Sequence, residues 1–420
     1  MNIDQVSALR AIEALRAGVP NRDAVNALGS LQTAVDDRFA ELLESLANPG
    51  EKPVGGILLG GGFGVGKSHV LEALAHRALD AGFVVSKVVI SKETALHDPA
   101  SVFRAAIDAA QVPGRPGSAI DEIAAGLAAH SEESAALRRW VHSDENPVDR
   151  TFAATLFLFE QARGDAEFTD RILRFWAGHP LAVPELRRRL KEAGAGGTYR
   201  LKAGKERDLA LQRFRFASRL MRAAGHKGWV ILLDEVELIG RYSLLQRARS
   251  YAEVARWVRG DREDSGTPIA AVLATVDDFE AAVLVGKNDL ELVGKRLRAK
   301  GTAELDAQAT LAEAGMRVIE RDQIRLQAPD RAALDRTYTR LKALHGTAYG
   351  WDPPDVEGLE RLPSNRMRQY VRAWINEWDL SRLDPLYEPE TMVATVPTDF
   401  TEDIELETGA EPDDADSAEA

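Results

Sequence analysis

The chain has 420 residues, 45% hydrophobic and 28% charged, with a formal net charge of −13 and no cysteine. That length implies two or three structural units around a large core; the composition excludes a collagen-like or wholly disordered chain, and the missing thiols exclude disulfides, zinc–thiolate sites and cysteine nucleophiles. No run of eighteen uncharged apolar residues occurs and the start, MNIDQVSALR, lacks a basic-then-apolar leader, so a cytoplasmic protein without membrane contact is expected.

The elements follow in chain order. Val6, Ala8, Leu9, Ile12 and Leu15 form an apolar stripe at helical spacing, and the turn AGVPNRD separates it from a second helical run, Ala24 to Ala47. Gly55 to Gly60 is a short apolar segment that fits a buried strand. A glycine-rich turn and a helix, Lys67 to Asp80, follow it, and then a β-branched strand, Phe83 to Ile90, and a helix opened by Pro99. This βαβ order implies a parallel sheet. From Pro113 to Gly225 the pattern is helical. Trp229 to Leu233 is a third strand, Leu244 to Arg259 a helix, Ile269 to Thr275 a fourth strand and Gln323 to Leu326 a fifth; helices Arg331 to His345 and Arg366 to Trp378 close the body.

Charge is divided unevenly along this order. Residues 383–420 hold 13 acids and no Lys or Arg, which leaves residues 1–382 formally neutral, and within them residues 186–227 hold 13 basic residues against three acids. On the helical run Asp208 to Ala223, Arg215, Arg219 and Arg222 lie on a different side from Leu211, Phe214 and Met221, so a basic ridge facing double-stranded DNA is one reading and a solvated or acid-paired face the other. The tail is acidic, contains proline and is poor in large apolar residues, as in disordered segments.

The chemistry lies in two motifs. Gly61-Gly62-Phe63-Gly64-Val65-Gly66-Lys67-Ser68 satisfies GxxxxGK[ST] between a strand and a helix. Its backbone N–H groups and the helix N-terminus can cradle phosphates, Lys67 can reach the β- and γ-phosphates of ATP, and the Ser68 hydroxyl can ligate Mg²⁺. His69, next in the helix, borders the same loop. Trp229-Val-Ile-Leu-Leu-Asp234-Glu235 is an apolar strand ending in two carboxylates. Asp234 is expected to hold the Mg²⁺ water shell, and Glu235 to polarise the attacking water. Glu237 is expected on the loop above the sheet, toward a neighbouring subunit.

With these motifs in place the chain resembles the AAA+ ATPases, especially their origin-recognition and replication-initiator branch, over about residues 18–380. The resemblance implies an α/β fold, a P-loop parallel five-stranded sheet with a helical insertion and a C-terminal helical lid. It further implies that Val19 and Pro20, in VPNRD, cover adenine, that Thr275 is the sensor 1 residue, that Arg296 in VGKRL is a finger acting across subunits with Arg298 in reserve, and that Arg366, the last residue of PSNR, or Arg368 is sensor 2. Pro363 stands where that motif has glycine. The strings GGGFGVGKSHVLE, ERDLALQRFRFASRL and LLDEVELIGRYSLLQRARSYAEVARW resemble more specifically a bacterial family of ATP-binding proteins of BREX phage-defence systems.

The expected division is 1–50, N-terminal helices and N-linker; 51–112, first part of the core; 113–226, helical insertion, basic at its end; 227–328, second part of the core; 329–382, lid; 383–420, tail. The function these readings imply is an ATP-hydrolysing switch or motor that self-associates and works with other defence proteins on or near DNA. Its rivals are a nucleotide-binding scaffold or signalling NTPase with negligible turnover and a transposition-type target-selection ATPase that polymerises on DNA.

Overall fold

The computed structural model describes residues 3–387, apart from 49–54, 63, 116, 128–130, 144–147, 162–164, 202–205, 261–265, 357–366 and 385. Phe63, Pro363, Arg366 and the acidic tail beyond 387 therefore lie outside the described residues.

Six strands form one sheet: β1 (Ile57–Gly60), β2 (Val84–Val89), β3 (Ala110–Gln111), β4 (Trp229–Asp234), β5 (Ile269–Thr275) and β6 (Gln323–Arg325), in the spatial order β3-β2-β4-β5-β1-β6. Five are mutually parallel. The two-residue β3 runs antiparallel against Val85 and Ser86, so the expected five-stranded sheet is a six-stranded one. A segment this short has no periodicity by which a sequence could announce it. The register aligns Gly60 with Thr275 and Val89 with Asp234, which with the β4–β5 pairing sets the carboxyl ends of four strands, β1, β5, β4 and β2, along one edge. Crevices at the carboxyl ends of parallel strands are where α/β sheets bind ligands.

Both faces of the sheet are covered, as a parallel sheet requires. On one face Leu59, Val230, Leu232 and Val272 pack against helix Lys67–Asp80 and against Phe39 and Leu42 of helix Thr33–Ala47. On the other, Val84, Ile231 and Leu273 share a single core with the helices of residues 119–223 and with helices Leu244–Arg259 and Ala303–Arg321. Phe214 of helix Glu206–Ala223 contacts Phe103, Trp229 and Trp257, with ring centroids 5.0, 5.8 and 5.2 Å away. The indole of Trp229 donates to Ser86 Oγ (2.8 Å) and that of Trp176 to Thr155 Oγ1 (3.0 Å), so these buried N–H groups are satisfied. The helical segment is thus built into the sheet's own core.

A third apolar cluster joins Ala8, Ile12 and Leu15 of helix Ile3–Ala17 to Leu341, Trp374 and Trp378 of the C-terminal helices Arg331–Tyr349 and Met367–Leu383. Arg16 bonds Asp379 (2.7 Å), which also accepts from the fully buried His345 (3.1 Å). The chain's first helix therefore belongs with its last two. The expected single run Ala24 to Ala47 is broken into Arg22–Leu28 and Thr33–Ala47, because Gly29 takes a positive φ of 72° and caps the first piece through Val25 O.

Between β5 and β6 lie a π-helical turn, Glu280–Val285, and two helices, Asp289–Arg298 and Ala303–Arg321. Asp289, fully buried, accepts from Arg247 Nε (2.7 Å), Arg247 Nη2 (2.8 Å) and Tyr251 OH (2.7 Å), fixing the start of helix Asp289–Arg298 to helix Leu244–Arg259.

Candidate nucleotide site

The loop after β1 turns at Gly64 (φ 78°) and Gly66 (φ 114°), left-handed conformations that strain residues with a Cβ. Gly66 caps helix Lys67–Asp80, which starts at the lysine itself. The Lys67 ammonium donates to Gly61 O (2.8 Å) and folds back over the loop. Ser68 Oγ donates to Asp234 Oδ2 at 3.2 Å, so the P-loop hydroxyl and the carboxylate at the end of β4 meet. The other Asp234 oxygen accepts from the backbone N–H of Glu235 (2.9 Å).

Glu235 sits in the left-handed region (φ 59°), a strained conformation for a non-glycine residue, and its side chain is exposed. Glu237 behaves differently. Its carboxylate is largely buried in the crevice, with Oε1 3.9 Å from Lys67 Nζ and Oε2 buried without a hydrogen-bond partner. Burial pushes its pKa up to about 7, opposed by the Lys67 charge and reinforced by Asp234 and Glu235. Glu237 lies not on a loop but in the short 3₁₀ helix Val236–Arg241, where its carboxylate faces Lys67 of the P-loop. Nothing in the two-residue spacing from Glu235 announces this, because the strained φ at Glu235 reorients the chain.

Thr275 is buried at the end of β5, level with Gly60, and its carbonyl accepts from the Gly61 N–H (3.1 Å). Asp277, two residues on, brings its carboxylate to within 3.5 Å of where a Cβ on Gly62 would stand. It is a polar neighbour of the loop that motif reading passed over, although a strand end is where such a residue is to be sought.

Beside the loop lies a cavity of about 190 Å³. Pro20, Leu28 and Gly29 line it from the N-terminal segment, Val65, Gly66 and His69 from the P-loop helix, and Arg336, Met367 and Arg368 from the C-terminal helices. Apolar walls with a few polar groups suit a planar base. Of the two residues expected to cover adenine, Pro20 lines this cavity and Val19 is largely exposed. The imidazole Nε2 of His69 lies 3.0 Å from Gly29 O, and burial lowers its pKa, so it donates as the neutral ring. The backbone N–H of Arg368 donates to Gly64 O (3.0 Å), joining the C-terminal helices directly to the phosphate loop. Gln32 makes reciprocal bonds with the backbone of Gln327, both 3.0 Å, and Arg340 donates to Leu28 O, so three parts of the chain close the cavity. Arg336 carries no motif and is found only because helix Arg331–Tyr349 packs here.

The two finger candidates differ. Arg298 is held by both oxygens of Glu313, whereas the Arg296 side chain is exposed. Of the three arginines expected on a DNA-facing ridge, Arg215 is buried, Arg219 lies 4.2 Å over the Trp140 ring and donates to Thr267 Oγ1 (2.7 Å), and Arg222 donates to Ala47 O (3.1 Å). Arg215 is thus buried, and Arg219 and Arg222 are half-buried with partners inside the chain. A sheet face covered on both sides draws this helix inward, and its guanidinium groups stack and bond within the fold.

Among the described residues no helix is long and apolar enough to cross a membrane. No curated protein matches this chain. The family model of the BREX system ATP-binding protein BrxC/D matches residues 3–379. That span takes in the phosphate loop, Asp234, the cavity and the C-terminal helices that close it, and the chain belongs to this family of BREX system ATP-binding proteins.

Proposed function

We propose that the chain is an AAA+ type ATPase serving as the nucleotide-driven switch of a BREX defence complex. The carrying observation is the convergence of Lys67, Ser68 and Asp234 at one sheet edge, with a base-sized cavity alongside. The strand order β2-β4-β5-β1-β6 and the helical pair touching Gly64 support the AAA+ reading.

In this reading the loop N–H groups and Lys67 hold the β- and γ-phosphates, and the cavity between Pro20, His69 and Arg368 takes the base. Ser68 and Asp234 offer hard oxygen donors, the set that suits a Mg²⁺ shared with substrate phosphates. When bound, Mg²⁺ supplies charge neutralisation at the transferring phosphoryl group. Glu235 accepts a hydrogen bond from the attacking water, Thr275 acts as sensor 1, Arg296 reaches a neighbouring subunit's γ-phosphate, and Arg366 or Arg368 contacts the phosphates from the lid. Self-association and other BREX proteins are the partners, in the cytoplasm. Double-stranded DNA is the object on which the complex works, but the packed arginines of helix Glu206–Ala223 do not favour that helix as the contact, which falls to another surface or another protein.

A second reading, a scaffold that binds ATP and barely turns it over, is favoured by one observation: Glu235 is exposed rather than folded over the loop. Steady-state phosphate release, alone and with double-stranded DNA, alongside light scattering with ATP, separates the two. Turnover that Lys67→Ala and Glu235→Gln both abolish supports the ATPase. ATP-dependent assembly without turnover supports the scaffold.

A further inference from the structure

The carboxylate of Glu237 is an unexplained anion in an anion-binding site. A P-loop is built to attract phosphate, with inward N–H groups, a helix N-terminus and an ammonium, yet a glutamate from the far side of β5 reaches into that crevice. Its Oε1 faces Lys67 at 3.9 Å, both side chains are about nine-tenths buried, and Oε2 is buried with no hydrogen-bond partner. A buried carboxylate with one oxygen unsatisfied is retained at a free-energy cost. Neither Asp234, which has Ser68 and the Glu235 N–H, nor the exposed Glu235 is held in this way.

We propose that Glu237 is a built-in competitor for the nucleotide: in the empty site it stands in for phosphate as the counter-ion of Lys67, and ATP or ADP must displace it to bind. The proposal rests on the nucleotide site read above. Lys67 cannot give its full charge to the β- and γ-phosphates while it faces Glu237, and a carboxylate left beside bound phosphates repels them. Each effect lowers affinity for the nucleotide, so the residue keeps the site responsive to nucleotide concentration and helps product leave. The short 3₁₀ helix Val236–Arg241 is the element that carries it, and Tyr242, which follows that helix, is bonded through its OH to Ser91 O beyond β2 (3.3 Å).

The test is calorimetric titration at pH 8, where the Glu237 carboxyl, with its pKa pushed up to about 7, is ionised, of the full-length chain with Mg·ATP and with Mg·ADP, for wild type, Glu237→Gln, Glu237→Asp, Glu235→Gln and Lys67→Ala. Glu237→Gln keeps the shape and removes the charge, so both nucleotides should bind roughly three- to tenfold more tightly, whereas Glu235→Gln should stay within about twofold of wild type. A merely structural role for Glu237 would give the opposite sign. Unchanged or weaker binding by a Glu237→Gln protein with native circular dichroism overturns the proposal. If that variant does not fold, Glu237→Asp decides: its shorter side chain withdraws from Lys67, and binding no tighter than wild type overturns the proposal equally. A wild-type chain that does not bind Mg·ATP, or a Lys67→Ala chain that binds it as well as wild type, overturns the nucleotide-site reading itself and this inference with it.

Discussion

Ser68 Oγ and Asp234 Oδ2 lie 3.2 Å apart although 166 residues separate them in the chain. Between them runs the whole helical segment, which packs against the sheet face and leaves the edge open. The two residues meet because β1 and β4 are parallel, one strand apart, and end at the same level.

Removing the lysine and removing the glutamate should have different consequences. Lys67→Ala deletes the phosphate counter-charge and should weaken ATP binding by at least about tenfold. Glu235→Gln should bind ATP normally yet lose about 10²- to 10⁴-fold in turnover, the range for a general base, and should accumulate any ATP-dependent assembly. Equilibrium binding and single-turnover hydrolysis check both, and equal loss of binding in the two variants would remove the assigned roles.

Arg296 and Arg298 should separate in the same way. Arg298 is tied to Glu313 within the chain, so Arg298→Ala is expected to lower stability slightly and leave turnover largely intact. Arg296→Ala should bind ATP but hydrolyse it about 10³-fold more slowly. Mixing it with Lys67→Ala protein should restore part of the activity, since each subunit then supplies what the other lacks. No rescue in a confirmed oligomer would exclude a finger acting across subunits.

The buried trio around Asp289 is a stability prediction. Asp289→Ala strands the Arg247 guanidinium in the core and should cost about 3–5 kcal/mol in urea unfolding. Tyr251→Phe removes one of three donors and should cost about 1–2 kcal/mol. A loss below about 1 kcal/mol for Asp289→Ala would mean that the pair is not buried in solution.

His69 should make stability depend on pH. Burial lowers its pKa below the ordinary 6.5, so the unfolded chain binds a proton first as pH falls. The contribution is fully present above about pH 6.5 and is lost from there down to the folded-state pKa. Between pH 7.5 and 5.5 the melting temperature of wild type should therefore fall more than that of His69→Gln. Parallel curves would show that the imidazole is not buried.

Arg215, Arg219 and Arg222 offer the sharpest contrast between charge and packing. Replacing all three by Ala should lower stability through lost packing and hydrogen bonds, and should leave the salt dependence of any DNA binding unchanged. A slope flattened by about two to three units, with the fold intact, would return the contact to this helix.

The sequence by itself determined the elements that chemistry marks. Glycines at 64 and 66 before Lys67 and Ser68 require a left-handed loop opening a helix, and an apolar run ending in Asp234 and Glu235 requires a buried strand with acids at its carboxyl end. Helices Lys67–Asp80 and Leu244–Arg259 and strand β5 stand at the boundaries read from periodicity. Such features are local, since they depend on which side chains recur every two or every 3.6 residues. What only the tertiary structure decided is which side of a helix or turn finds a partner. Arg215, Arg219 and Arg222 have a polar periodicity, but Arg215 is buried and the other two are drawn onto Trp140, Thr267 and Ala47. Glu237 has the spacing of a loop acid, but a positive φ at Glu235 swings it onto Lys67. Helix Ile3–Ala17 joins helices more than 300 residues away because its stripe of Ala8, Ile12 and Leu15 shares one buried cluster with Leu341, Trp374 and Trp378. Periodicity states that a face must be covered; the competition among all such faces for burial settles by what.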